Sequence, residues 1–168
     1  MCPEKAISEV PDRMGIIERG TAAAGIAFAR GVLDVGEPMA APAIRQLKRW
    51  AIGMYAASTA GDAGVVILDA PPGTACPVVE TARGADYLLL VTEPTPFGLH
   101  DFSLAAAMVR ELGLPCGAVI NRAGSGDGRV HAYCGQEKIP ILAEMPDDRR
   151  IAECCSRGHL IVETLMEY

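Results

Sequence analysis

Four short apolar segments, each followed by a loop and a helical pattern, constrain the fold of this 168-residue chain more than any other feature. Continuous apolar runs of this length are typical of parallel strands that are buried on both faces. The repeated order of strand and helix predicts right-handed crossovers and an α/β architecture with four mostly parallel strands and flanking helices. The four predicted strands are VVILDA (65–70), DYLLLVT (86–92), CGAVIN (116–121) and PILAEMP (140–146).

The N-terminal third of the chain has a different pattern. GIIERG (15–20) and GIAFARGVLDVG (25–36) are alternating, glycine-bounded segments, which predicts a β-hairpin. In residues 41–58 apolar side chains recur at steps of three and four, which predicts a helix.

The composition excludes several classes of protein. Half of the residues are hydrophobic, which is enough for a buried core and argues against disorder. The net charge of −6 argues against a nucleic-acid-binding surface. No segment resembles a signal peptide or reaches the roughly 18 to 20 apolar residues of a membrane helix. The six cysteines form no close-spaced framework, so we expect a reduced, cytoplasmic protein.

The end of the first predicted strand carries the strongest functional signal. In parallel sheets ligands bind at the carboxyl ends of the strands, and Asp69 lies where nucleotide hydrolases hold magnesium or its bound water. Gly73 could turn a backbone N–H toward a terminal phosphate, and Thr74 is placed to cap the next helix. The alternative is that Asp69 is a turn residue and Thr74 only a cap.

The later strand ends predict contacts to a nucleobase. The side-chain amide of Asn121 offers a donor and an acceptor that suit the edge of a purine, and Arg122 could stack on the base. Pro146 and Asp147 could belong to a loop that wraps the base. The alternatives are an ordinary loop asparagine, a solvated arginine, and aspartates at 147 and 148 that only cap the last helix.

The loop EPTPFGLHD (93–101) follows the second predicted strand. Glu93 and Asp101 could touch a nucleotide or a partner subunit, but a first-turn charge that complements the helix dipole is the favoured interpretation of Asp101. Metal sites are disfavoured, because the cysteine and histidine groups lack three or four converging ligands. These groups are His131 with Cys134, and Cys154 and Cys155 with His159.

No phosphate-binding loop of the pattern G-x-x-x-x-G-K-[ST] occurs in the sequence. The chain has three lysines, Lys5, Lys48 and Lys138, and none of them lies in a glycine-rich loop. We therefore expect that the chain does not hydrolyse nucleotide on its own.

Taken together, the segments resemble the MinD/ParA superfamily of P-loop ATPases, and most closely the members with an inserted ferredoxin domain. Such proteins are often grouped with the nucleotide-binding family of cobyrinic acid a,c-diamide synthase. The resemblance implies an incomplete P-loop NTPase-like sheet and a link to iron–sulfur or electron-transfer processes. It rests on ILDAPPGT for the Walker B and switch II segment, VTEPTPFGLHD for the next strand and loop, AVINRAG for the base-recognition strand, and IPILAEMPDDRRIAECCSRG for the final strand and helix.

The N-terminal CPEKAI resembles the end of a bacterial ferredoxin motif, whose last cysteine precedes proline. Cys2 corresponds to that ancestral iron–sulfur ligand, but a single cysteine cannot hold a cluster. The resemblance implies that residues 1–14 are the remnant of a ferredoxin-like insert. Residues 15–168 would then form the C-terminal part of a MinD-like nucleotide-binding domain.

The resemblance also implies cofactors and roles. ATP and magnesium are the cofactors of the family, although we expect this chain alone to hold neither of them firmly, with weak or no ATP binding. The roles that the resemblance implies are magnesium binding through water for Asp69, γ-phosphate sensing for Gly73, and adenine recognition for Asn121, Arg122, Pro146 and Asp147.

The phosphate-loop strand is central to the sheet in this family, so a sheet without it should expose strand edges and apolar faces. We therefore expect a homo-oligomer that associates through an exposed sheet edge, with no nucleic-acid or membrane partner. The alternatives are a split ATPase, in which a separate chain supplies the phosphate loop and the ferredoxin, and a non-catalytic binding or scaffold domain. An amide-forming ligase is disfavoured, because nothing in the sequence resembles a glutaminase domain.

Overall fold

The computed structural model describes residue 6 and residues 10–21, 25–58 and 64–165. They divide into two compact units. The first unit comprises the described residues up to Pro71 together with 76–81, and the second comprises 72–75 and 82–165. The predicted domain boundaries, 1–14 and 15–168, are based on resemblance to a known family and not on compactness, and they stay a prediction.

The first unit contains the predicted hairpin and the predicted long helix. Strands β1 (Gly15–Thr21) and β2 (Ala27–Leu33) pair antiparallel, with Gly15 opposite Leu33 and Thr21 opposite Ala27. Helix α1 (Ala40–Ser58) follows, and most of α2 (Cys76–Ala82) also belongs to this unit. The Lys48 ammonium donates to the carbonyls of Glu80 and Thr81 at 3.0 and 2.8 Å, so α1 holds the last turn of α2.

The second unit is a three-stranded parallel sheet with helices. Its strand order is β3 (Leu88–Thr92), β4 (Cys116–Ala123) and β5 (Ile141–Pro146). The connecting and following helices are α3 (Pro96–Glu111), α4 (Arg129–Glu137), α5 (Arg149–Ser156) and the short α6 (Ile161–Thr164). The α/β architecture and the parallel pairing of these three predicted strands are confirmed.

The prediction of a fourth parallel strand at 65–70 is wrong. This segment has no regular secondary structure, and Val65 and Ile67 are 85% and 87% exposed. A parallel strand is stabilised by burial of both faces and by hydrogen bonds to its neighbours. The apolar composition of VVILDA is suitable for a strand, but in this structure its side chains gain no such burial.

The core of the second unit lies on one face of the sheet. It is formed by the buried side chains of Phe102 from α3, Ala118 and Ile120 from β4, and Val130 and Cys134 from α4. On the other face Leu89 and Val91 of β3 are 61% and 66% exposed. The sheet therefore buries one face against α3 and α4 and leaves apolar side chains exposed on the other.

The start of α3 is fixed by a proline and a cap. Thr95 is the N-cap residue, its hydroxyl accepts from the Gly98 N–H at 3.0 Å, and Pro96 occupies the first helical position. Because the helix begins at Pro96, Asp101 lies beyond its first turn, and the interpretation of Asp101 as a first-turn charge is wrong.

Candidate functional site

The carboxyl ends of β3, β4 and β5 lie side by side in the second unit. The chain leaves these strands through loops that begin with Glu93, Gly124 and Asp147. Parallel strands in sequence order bring all three ends to one edge of the sheet, which is where such sheets bind ligands. This edge, defined by residues 92–98, 121–128 and 146–148, is the candidate site and is called the carboxyl edge below.

A bulge in β4 presents Asn121 and Arg122 at this edge. Ile120 pairs with Glu144 and Ala123 pairs with Pro146, so two residues of β4 lie opposite the single residue Met145 of β5. A bulge of this kind redirects side chains and is frequent beside active sites.

Arg122 has a left-handed backbone, with φ of +56°, which is uncommon for a residue with a side chain. The Ser125 hydroxyl donates to the Arg122 carbonyl at 2.7 Å, and the Asp147 N–H donates to the neighbouring Ala123 carbonyl at 3.1 Å. These bonds hold the strained conformation from both sides. Strain that is fixed in this way is found mostly at functional sites.

The guanidinium of Arg122 lies between two carboxylates from neighbouring loops. Its Nε donates to Oδ1 of Asp147 at 3.2 Å, and its Nη1 lies 3.8 Å from Oε2 of Glu93. From the sequence, Glu93 was a candidate for contact with a nucleotide or a partner subunit, and its pairing with Arg122 was not predicted.

Asn121 is exposed, and its side-chain amide bonds to none of the residues that the structure describes. Its donor and its acceptor therefore both face solvent at the carboxyl edge. Pro146 is the last residue of β5 and is half-buried, and Asp147 follows it directly in the chain. Four predicted base-contacting residues thus belong to one edge: Asn121, Arg122, Pro146 and Asp147.

Two glycines allow the loops of the carboxyl edge to pack closely, because a side chain at either position would clash with a backbone carbonyl. A Cβ on Gly98 would lie 2.3 Å from the Glu93 carbonyl oxygen, and one on Gly126 would lie 2.2 Å from the Pro94 carbonyl oxygen. The Thr92 hydroxyl also donates to the Gly98 carbonyl at 3.0 Å. The loop after β3 is therefore folded tightly on itself and against the loop after β4, which fixes the backbone that carries Glu93.

The aspartates after β5 have separate roles. Asp148 is the N-cap of α5, and its carboxylate accepts from the Arg150 N–H at 2.7 Å, so the capping interpretation is confirmed for Asp148. The carboxylate of Asp147 contacts Arg122 instead. Capping alone therefore does not account for both residues.

The predicted magnesium and phosphate residues lie outside this loop cluster in the sequence. Asp69 belongs to the first unit, is exposed, and its carboxylate forms no hydrogen bond or ion pair with the residues that the structure describes. Gly73 has a left-handed backbone with φ of +93°. Helix α2 begins at Cys76, so its N-cap position is Ala75 and the prediction of Thr74 as the cap is wrong.

The described part of the chain contains neither a cluster of metal ligands nor a helix that could cross a membrane. Among those residues, no three histidine, cysteine, aspartate or glutamate side chains converge as metal ligands would. Cys2, the predicted ancestral cluster ligand, lies outside the described residues. No described helix combines the length and the apolar character that crossing a membrane requires.

The chain is similar to several curated proteins, two of which are described here, and to a solved structure. It is 31% identical over 138 residues to an uncharacterized protein of Methanocaldococcus jannaschii, which covers 82% of this chain and 44% of that protein. It is 26% identical over 117 residues to an iron-sulfur cluster carrier protein of Aquifex aeolicus, which covers 61% of this chain and 32% of that protein. The chain thus spans less than half the length of either relative.

The structural similarity is to the cell division ATPase MinD of Pyrococcus furiosus. The TM-score is 0.51 at 26% sequence identity, and the match covers 60% of this chain and 44% of MinD. No protein-family model matches the sequence. The three-stranded parallel sheet and the hairpin are consistent with part of a P-loop NTPase-like fold. The similar proteins include a MinD ATPase and an iron–sulfur cluster carrier.

Proposed function

We propose that this chain is the base-recognition part of a MinD-like, ATP-binding domain that serves an iron–sulfur or electron-transfer process. The observation that carries the proposal is the bulge of β4, which presents the exposed Asn121 amide beside the Arg122–Asp147 pair at the carboxyl edge. Similarity to MinD supports ATP as the nucleotide, and similarity to an iron–sulfur cluster carrier supports the process.

Adenine is the proposed ligand of the carboxyl edge. An amide side chain can accept from the exocyclic amine of adenine and donate to a ring nitrogen, which matches the donor and acceptor of Asn121. The Arg122 guanidinium is planar and suits stacking on a base. The loop at Pro146 and Asp147 would border the base on the side of β5.

Asp69 and Gly73 are the proposed contacts to magnesium and phosphate. Magnesium keeps several waters in nucleotide sites and uses one or two carboxylates plus phosphate oxygens, so a single exposed aspartate fits this donor set. When bound, the metal would neutralise charge on the phosphates. The left-handed backbone of Gly73 suits a loop that turns an N–H toward an anion.

The chain alone is proposed not to hydrolyse ATP, because its sequence contains no glycine-rich loop with a lysine to hold the phosphates. The expected result is no magnesium-dependent release of phosphate from ATP by the pure protein. Turnover that disappears in Asp69→Ala would contradict this part of the proposal.

Base recognition is tested by NMR titration of the isotope-labelled chain with adenosine and, separately, with cytidine at millimolar concentrations. Adenosine should shift the amide signals of residues 121–126 and 146–148, and cytidine should shift them less. Asn121→Ala should weaken the adenosine response, whereas Gln136→Ala, which removes an exposed amide from α4, should not. Equal responses to both nucleosides, or shifts confined to other residues, would refute adenine recognition at this edge.

Self-association through the sheet is a further part of the proposal. Strand β3 borders the described three-stranded sheet, and its exposed Leu89 and Val91 provide an apolar surface that another polypeptide could cover. A second copy is the first candidate, and a separate chain that supplies the phosphate loop and the ferredoxin is the alternative. Light scattering should show oligomers that Val91→Lys reduces, and a monomer at high concentration would exclude the homo-oligomer.

The N-terminal assignment and the compartment complete the proposal. Residues 1–14 are proposed to belong to a ferredoxin-like insert, with Cys2 at the position of a cluster ligand, and 15–168 to the nucleotide-binding domain. The five cysteines that the structure describes are all free thiols, which supports a reducing, cytoplasmic compartment. A scaffold domain that has lost nucleotide binding is the alternative, and the adenosine titration distinguishes it.

A further inference from the structure

We propose that Glu93 is a positioning residue of the carboxyl edge, which fixes the guanidinium of Arg122 for contact with the face of a purine. This inference rests on the proposed function for its ligand, but the arrangement of the free protein can be tested separately. It assigns a role to the loop after β3, whereas base recognition was predicted only for the ends of β4 and β5.

The first reason is geometric. Asp147 accepts from Nε of Arg122, and Glu93 lies near Nη1, so the two carboxylates approach different nitrogens of one planar group. The contact with Asp147 alone would leave the guanidinium free to rotate about that single hydrogen bond. Two contacts from separate loops restrict both its position and the orientation of its plane.

The second reason is the rigidity of the support on each side. Glu93 is held by a loop in which Thr95 N–H donates to the Glu93 carbonyl at 2.8 Å and Gly98 packs against the same carbonyl. On the other side, the bulge fixes the Arg122 backbone at a positive φ. A flexible solvated arginine needs neither feature, whereas a positioned side chain needs both.

The third reason concerns exposure. The Arg122 side chain is 56% exposed although it contacts two carboxylates, so a substantial part of its surface remains available to a ligand. An arginine plane that is fixed at its edges and open to solvent suits stacking with an aromatic ring. Purines offer a larger ring surface than pyrimidines, so this contact favours purines.

The exposure of the carboxylates limits the size of the expected effect. The Glu93 and Asp147 side chains are 41% and 45% exposed, and ion pairs in such positions are weakened by solvent and salt. The loss of Glu93 should therefore weaken purine binding by roughly two- to fivefold, rather than abolish it.

The first test needs no ligand. In NMR spectra of the free protein, the Nε–Hε signal of Arg122 should be resolved, and Glu93→Gln should shift or broaden it. Glu111→Gln, which neutralises an exposed carboxylate on α3, is the matched control and should leave the signal unchanged. An Arg122 signal that is identical in the wild type and in Glu93→Gln would overturn the positioning role.

The second test is a double-mutant cycle with adenosine as the probe. Glu93→Gln should raise the adenosine Kd in the wild-type background and should have no further effect in Arg122→Gln, because Glu93 acts through Arg122. Equal effects in both backgrounds would overturn the inference while leaving adenine recognition intact. If the wild type shows no adenosine response at the carboxyl edge, the proposed function fails, whatever the first test finds about Arg122.

Discussion

The Nε atom of Arg122 lies 3.2 Å from Oδ1 of Asp147, so a side chain from the bulge of β4 joins the loop that follows β5. The two residues are 25 positions apart in the chain, and only the parallel pairing of the strands brings them together. With Glu93 on the other side, this pair makes the carboxyl edge an ordered arrangement of charges.

Substitution of Gly98 should disturb the loop that carries Glu93. In Gly98→Ala the new methyl group would lie 2.3 Å from the Glu93 carbonyl oxygen, so the backbone of this loop must move. The free energy of unfolding should therefore fall by about 1–3 kcal/mol. Urea unfolding measures the loss. Gly135→Ala is the control, because its methyl group meets no atom within 4 Å and should stabilise α4 by about 0.5–1 kcal/mol. Equal stability of the two variants would contradict the packing described for this loop.

Removal of the Thr95 hydroxyl should weaken the start of α3. Thr95→Ala loses the acceptor for the Gly98 N–H and should cost about 1 kcal/mol in the free energy of unfolding. Thr95→Ser keeps the acceptor and should retain most of the stability. If thermal or urea unfolding shows that Ala and Ser are equivalent at this position, the cap contributes nothing.

The thiols should differ in reactivity according to their burial. Burial raises the pKa of the Cys116 thiol, an effect that Arg110 partly opposes, and burial also raises the pKa of Cys134, with a further contribution from Cys116. Because the thiolate is the reactive form, these two residues should react with a thiol reagent at pH 8 more slowly than the exposed Cys76 and Cys155. Mass spectrometry of the labelled peptides gives the order of reaction. Labelling of Cys134 as fast as Cys155 would contradict the burial.

The same thiols should make stability depend on alkaline pH. Their folded pKa lies above that of the unfolded chain, near 8.5, so the unfolded state loses protons first as the pH rises. The contribution of these two thiols to the free energy of unfolding is fully present below their pKa in the unfolded chain. It is lost as the pH rises through their pKa in the folded protein. The melting temperature should fall over this range, and Cys134→Ala should reduce the slope. An unchanged slope would mean that Cys134 does not contribute.

Asp127 should have the opposite dependence at acid pH. The backbone N–H of Arg129, which donates to the carboxylate at 3.2 Å, is the main cause that lowers the Asp127 pKa below its ordinary value. The resulting stabilisation is present above the unfolded pKa, near 3.9, and is lost as the pH falls through the lower folded value. NMR titration of the Asp127 carboxyl carbon checks the direction. An Asp127 pKa at or above that of a model peptide would contradict the contact.

Much of the fold could be predicted from local sequence patterns. The alternation between glycines predicted β1 and β2, and the apolar runs predicted β3, β4 and β5, because these patterns are properties of short segments. The segment 65–70 has the same apolar pattern and forms no strand, since a parallel strand also depends on neighbours and burial that the segment itself cannot provide. Local composition is therefore necessary for such a strand but does not suffice.

The candidate site was predictable in its location and less so in its arrangement. Strand ends could be read from the sequence, which put Asn121 and Asp147 at one edge. The bulge at Asn121 and Arg122 depends on the register between β4 and β5, and the approach of Glu93 to Arg122 depends on two loops that are distant in sequence. Register and loop packing are long-range properties. The loop EPTPFGLHD was predicted to offer Glu93 to a nucleotide or a partner subunit, but its contact with Arg122 was not predicted.

A crystal structure of the chain grown with millimolar adenosine is the decisive test of adenine recognition by the carboxyl edge. We expect electron density for the purine at this edge, with ring atoms within hydrogen-bonding distance of the Asn121 amide and the Arg122 guanidinium over the ring face. Adenosine bound elsewhere, with this edge unaltered, would show that the carboxyl edge does not recognise adenine.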